Sequence, residues 1–129
     1  MDCGTDIIEI YRIKEAIEKN GEAFLNKVYT TSEIEYCESK KNNKYQHYAG
    51  RFAAKEAASK VLGTGFAGDF DWKDIEVLNN ESGKPELNLY RGAKDLFEKE
   101  GYEKVSVSIS HSKEYATSIV IGYWQSKEK

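Results

Sequence analysis

Two carboxylates and a run of cations carry most of the chemistry this chain could perform. Between residues 40 and 60 stand Lys40, Lys41, Lys44, Arg51, Lys55 and Lys60, facing one acid, Glu56, inside a 129-residue chain of net charge −3. A cationic segment in an acidic protein is either a solvated helix face or a pocket for a small phosphate-rich ligand. On a helical wheel at about 100° per residue, Tyr45, Ala49, Phe52 and Ala53 share one face, and Glu56 falls among them. Arg51 and Lys55 point away from that face. A carboxylate inside an apolar stripe must be paired, bound to a cation or neutralised, because bare burial costs several kcal/mol. Glu56 therefore reads either as half of a buried ion pair, with Lys60 one turn on, or as a metal ligand.

Asp6 poses the same choice. It lies between Thr5 and Ile7 in an otherwise apolar N-terminal strand, as a turn former or as a second carboxylate. Magnesium is held by one or two carboxylates and completed by water and phosphate oxygens. Basic side chains would then take up the remaining phosphate charge. His111 closes the alternating run from Val105 to Ser112, on the parity of Val105, Val107 and Ile109. It is either structural or, with Ser110, Ser112 and Lys113, part of a phosphate-contacting turn. No Ser/His/Asp or Cys/His nucleophile set and no zinc-type spacing is readable. Ser82-Gly83-Lys84 lacks the Walker pattern and reads as a hairpin turn.

The elements that must hold these residues follow from periodicity and punctuation. A strand is expected over Cys3–Ile8 and a helix over Tyr11–Lys19, stopped by Asn20-Gly21. A short helix follows over Glu22–Val28. Thr30-Thr31-Ser32-Glu33 has capping-box spacing and predicts a helix over Ser32–Ser39. The longest helix spans Lys44–Leu62 and ends at Gly63, with a flexible loop to Gly68. Strands over Ile75–Asn79 and Glu86–Leu89 form a hairpin, Arg91–Lys99 a helix, and Val105–Ser110 with Ala116–Tyr123 a final strand pair. The fold class is α+β, a mainly antiparallel sheet packed against a long helix.

Composition limits the function classes. With 40% hydrophobic and 32% charged residues, the chain reads as one soluble globular domain over 1–129. The net charge argues against a nucleic-acid surface, and no apolar stretch is long enough to span a membrane. Met1-Asp2-Cys3-Gly4 offers no basic-then-apolar leader, so none is expected. Cys3 and Cys37 lack CxxC spacing and point to free thiols in the cytoplasm.

Several segments carry a family resemblance. They are Gly4-Thr5-Asp6-Ile7 with Arg12-Ile13, Thr30-Thr31-Ser32-Glu33, Gly50-Arg51-Phe52-Ala53-Ala54-Lys55-Glu56-Ala57, Ser59-Lys60 and Gly63-Thr64-Gly65. Asp74-Ile75-Glu76-Val77, Ser82-Gly83-Lys84-Pro85 and the run from Val107 to Ala116 follow in order. Together they resemble the holo-[acyl-carrier-protein] synthases, the short bacterial 4′-phosphopantetheinyl transferases. The resemblance implies transfer of 4′-phosphopantetheine from coenzyme A to a serine of apo acyl carrier protein, for fatty acid biosynthesis. It makes Asp6 and Glu56 ligands of magnesium, or of manganese in its place, with Lys60 as a catalytic charge beside them. It assigns coenzyme A to Lys44, Arg51, Phe52, Lys60, Gly83, Lys84, Pro85, His111 and Ser112, and the carrier protein to Arg12. It also implies a homotrimer with active sites at subunit interfaces. The general base stays open between Glu56 and a metal-bound water.

Departures from the family pattern accompany the match. Glu15, Glu18 and Glu22 stand where relatives tend to be basic, and Asn43 leaves Lys44 to supply charge. Two rivals belong beside this reading. One is a non-catalytic module gripping a nucleotide or acidic partner. The other is a broad-specificity transferase, against which the single-domain length argues.

Overall fold

The computed structural model describes residues 1–63, 65–68 and 70–124. Thr64, in the loop expected after Gly63, lies outside the described residues, as do Asp69 and residues 125–129. The order of elements is β1 (Asp2–Glu9), α1 (Ile10–Asn20), α2 (Glu22–Val28), α3 (Thr31–Glu38), α4 (Lys44–Leu62), β2 (Ile75–Asn79), β3 (Pro85–Leu89), α5 (Arg91–Lys99), β4 (Lys104–His111) and β5 (Tyr115–Tyr123). One antiparallel sheet runs β1-β5-β4 and a second pairs β2 with β3. This is the α+β arrangement expected.

Helix α4 is the axis of the molecule. Its alanines make it a strong helix former and leave its surface thin enough for strands to lie close. Gly63 ends it in the left-handed region, φ +88, with its N–H donating to Ser59 O and Lys60 O. Ala49, Ala53, Ala54, Ala57 and Ala58 are buried. One end of α4 packs through Tyr48 with Ile13 and Tyr29, the other through Val61 with Val77, Phe97 and Val120.

Burial extends around the helix. Arg51 and Lys55, which the wheel turns away from the apolar face, are buried too, 4% and 0% exposed. The basic segment is therefore not one solvated surface, because α3 and β2 cover that side. Lys55 Nζ lies 2.8 Å from Glu33 Oε1 and donates to Ile75 O (2.6 Å) and Trp72 O (3.1 Å). Glu33 accepts further from Thr30 N and Val77 N. Glu33 is also the carboxylate of the capping box that starts α3. Burial pulls the Lys55 ammonium below its usual range, and the Glu33 carboxylate pushes back.

The loop after α4 carries a packed 3-10 turn, Gly65–Ala67, not an open connection. The Phe66 ring stacks on Trp72 with centroids 3.8 Å apart. Cys3 is exposed, Cys37 is buried, and both are free thiols.

Lys55→Met leaves Glu33 charged, buried and unpaired, and is expected to cost about 3–5 kcal/mol in urea unfolding. The double change Lys55→Met with Glu33→Gln should recover part of that loss. A single variant as stable as the parent would refute the central role of the pair.

Candidate active site

Asp6 and Glu56 meet because one strand lies directly on α4. In β1, Gly4, Asp6 and Ile8 share the face toward the helix. A Cβ on Gly4 would sit 2.2 Å from the Ala57 carbonyl oxygen and 3.0 Å from Lys60 Cβ. Glycine is required there by contact, and the contact sets Asp6 beside the last turns of α4. Lys60 Nζ donates to Thr5 O (2.7 Å) and Asp6 Oδ1 (3.2 Å). Glu56 is half-buried. Burial raises its carboxyl above the usual range, the Asp6 carboxylate adds to the rise, and Lys60 opposes it.

The ion-pair partner suggested for Glu56 is thus engaged elsewhere: Lys60 binds Asp6 and the Thr5 carbonyl. Carboxylate oxygens are the donors that hard divalent cations take, with the remaining positions left to water or phosphate, so Asp6 and Glu56 are the residues here that could hold one. Asp6, Glu56, Phe52, Arg12 and Tyr115 line one groove of about 500 Å³. Phe52 is held by stacking on Trp72, 4.8 Å between centroids. Arg12 stands at the rim, exposed, 3.1 Å from Glu9 Oε1.

The other predicted residues lie elsewhere, at several places. Arg51 donates through Nη2 to Asn79 Oδ1, and Asn79 Nδ2 donates to Gly83 O at 2.9 Å. Arg51 and Gly83 line a second cavity of about 470 Å³. Gly83 has φ +89 in a turn whose shape comes from Asn80, whose Oδ1 accepts from Ser82 N and Lys84 N. Lys84 and Pro85 line a groove of about 590 Å³ beside β4. A larger cavity, about 1010 Å³, lies by Phe97, Tyr102 and Trp124 and contains none of these residues.

His111 ends β4 in exposed position with its ring 6.0 Å from that of His47. Ser112 Oγ accepts from Tyr115 N (3.2 Å) and shapes the hairpin turn. Lys44 pairs with Glu38 at 3.3 Å, so the charge expected of it is already engaged. Sequence reasoning passed over His47, Tyr36 and Asn79. The one available signal was the placement of His47 one helical turn before Arg51.

A model of the 4′-phosphopantetheinyl transferase superfamily matches residues 2–120. The chain belongs to that superfamily. It is 50% identical over 121 residues, 94% of this chain and 90% of the relative, to a holo-[acyl-carrier-protein] synthase of Ruminiclostridium cellulolyticum. The holo-[acyl-carrier-protein] synthase of Helicobacter pylori in complex with coenzyme A superposes with a TM-score of 0.83 at 30% identity, covering 95% of this chain and 100% of that one. The Bacillus anthracis synthase in complex with CoA (3′,5′-ADP) gives 0.78 at 36%, covering 95% and 96%. The phosphopantetheinyl transferase fold is thereby shared over nearly the whole chain.

Two outcomes test this geometry. Gly4→Ala should lower unfolding stability by about 1–3 kcal/mol through overpacking, and an unchanged urea midpoint would contradict the close approach. His47 is pushed down to about 4 from 6.5, first by burial and then by Arg51, Lys40 and His111. The unfolded chain protonates this imidazole below about pH 6.5, whereas the fold resists until about pH 4. The stability gained by keeping it neutral is complete above that range and is lost as pH falls through it. His47→Phe should show a smaller drop in urea midpoint between pH 7 and pH 4.5 than the parent; an equal drop would count against the assignment.

Proposed function

We propose that this transferase moves 4′-phosphopantetheine from coenzyme A to a serine hydroxyl of an apo acyl carrier protein, leaving adenosine 3′,5′-bisphosphate. The observation that carries the reading is the convergence of Asp6 and Glu56 on one groove, with Lys60 bound to Asp6. The names of the relatives and the coenzyme A bound in two of the similar structures support it. The serine oxygen attacks the phosphorus that bears the pantetheine arm, and the bond from that phosphorus to the nucleotide phosphate breaks. Such transfers depend mainly on positioning and charge neutralisation.

Asp6 and Glu56 would hold magnesium, which supplies charge stabilisation to the pyrophosphate when bound. Lys60 adds a second positive charge beside the leaving phosphate and keeps Asp6 in place. The serine proton passes to a base in this groove, either Glu56 or water. Arg12 at the rim is placed to meet an acidic carrier protein. Arg51 with Gly83, Lys84 with Pro85, and His111 all lie apart from the carboxylate groove, which supports a homotrimer in which one subunit's carboxylates face the neighbour's coenzyme-holding residues. The free cysteines support a cytoplasmic location.

Intact mass of an apo acyl carrier protein, incubated with the enzyme, coenzyme A and magnesium, should show the phosphopantetheine adduct. Asp6→Asn and Glu56→Gln should each lower the rate by about 10²–10⁴-fold, and EDTA should stop transfer until magnesium is restored. Absence of adduct with the parent enzyme would overturn the transferase reading. Full activity in either variant would overturn the metal assignment.

A further inference from the structure

Glu9 ends β1 and stands at the N-cap of α1, with extended backbone at φ −71 and ψ 126. Short side chains are favoured at that position, because an oxygen there accepts from the amides of the first turn. The Glu9 carboxylate caps nothing. It accepts instead from Arg12 Nε at 3.1 Å. Both residues line the groove that holds Asp6 and Glu56. The start of α1 thus forgoes a cap and holds a guanidinium at the groove rim.

The support beneath this pair is rigid. Glu9 is paired with Tyr115 across β1 and β5, and Ile10 N donates to Glu114 O at 2.8 Å. Ile10 and Ile13 are buried, so the first turn of α1 is fixed by the core. The ion pair itself adds little to stability, since the Glu9 and Arg12 side chains are 52% and 73% exposed. What it fixes is direction. With Nε spent on Glu9, the edge formed by the two Nη groups is left, without a partner among the described residues. That edge matches a carboxylate through two parallel hydrogen bonds.

We propose that Glu9 is a positioning residue for the acceptor: it holds Arg12 so that the Nη edge is presented to a carboxylate side chain of the carrier protein. This rests on the transfer reading above, in which Arg12 meets an acidic carrier. Holding a long, exposed arginine in one arrangement removes part of the ordering cost of each encounter. A carboxylate beside that arginine also lowers the local positive charge, which by itself weakens attraction to an acidic partner. Positioning and charge therefore predict opposite signs when Glu9 is removed. Glu15, exposed three residues beyond Arg12 and without an ion pair among the described residues, has the charge and lacks the contact.

Steady-state transfer by the full chain with magnesium, varying apo acyl carrier protein or coenzyme A, separates the two effects. Glu9→Ala should raise the KM for carrier protein about 5-fold, with kcat and the KM for coenzyme A within about 2-fold of the parent. Glu9→Gln keeps an oxygen that accepts from Nε and should recover part of the loss. Glu15→Ala should not raise the carrier KM. Arg12→Ala should raise it about 10-fold, and adding Glu9→Ala to that variant should change nothing further. The urea midpoint of Glu9→Ala should match the parent, because the pair is exposed. An unchanged or lower carrier KM in Glu9→Ala, an equal rise in Glu15→Ala, or additive losses in the double variant would overturn the proposal. A rise confined to the KM for coenzyme A would overturn it too, since the anion would then belong to the coenzyme. Arg12→Ala with the parent's carrier KM would overturn the reading of Arg12, and a parent without transfer the transfer reading itself.

Discussion

Lys55 and Glu33 place opposite charges at the centre of the molecule, both 0% exposed. A buried ion pair survives only when its remaining hydrogen-bonding capacity is filled, because desolvation otherwise exceeds the attraction. Here the Lys55 ammonium also reaches the carbonyls of Trp72, in the turn before β2, and of Ile75, at its start, and Glu33 takes amide protons from Thr30 and Val77. The pair thereby joins α3, α4 and β2 at one point. Thr30 extends the network through Glu76 to the Tyr90 hydroxyl. Helix α4 is held on the side opposite β1, so its reactive face has a fixed orientation.

The second constraint is steric. Gly4 lets β1 lie against the Ala57 carbonyl, and this contact brings Asp6 toward Glu56 and Lys60. Two carboxylates forced into one groove repel each other, and part of that cost appears as the raised proton affinity of Glu56. A fold selected only for stability gains little from such a pair. A strained pair of carboxylates kept together in a groove is the mark of a functional site.

Adjacent residues of α4 serve different ends because successive side chains turn by about 100°. Phe52 and Glu56 face the carboxylate groove. Arg51 faces Tyr36 and Asn79, and Lys55 enters the core. Apart from the exposed Lys41, the cationic segment thus divides into a core cation, a cation bound to Asp6, a cation paired with Glu38, and a cluster around Tyr36. One linear block of sequence supplies both candidate subsites and the pair that holds the helix between them.

Much of this was readable without coordinates. The bounds of α2, α4, β2 and α5 follow from apolar spacing, Asn-Gly and Gly stops and turn residues, and the capping box at Thr30 and Glu33 is present as spaced. The parity of His111 and the place of Glu56 on the same face as Phe52 were legible too, since both depend only on backbone period. The destinations of the charges were not. Lys60 finds Asp6 and Thr5 across the length of the N-terminal half, Lys55 finds Glu33, and His47 meets His111 from another element. The sequence by itself determined which elements form, which residues they carry and the family motifs among them, because backbone periodicity and turn chemistry are local. Only the tertiary structure decided which cations are consumed by the core and which stay available to a ligand, because a charge's partner depends on which distant surface packing brings within hydrogen-bond reach.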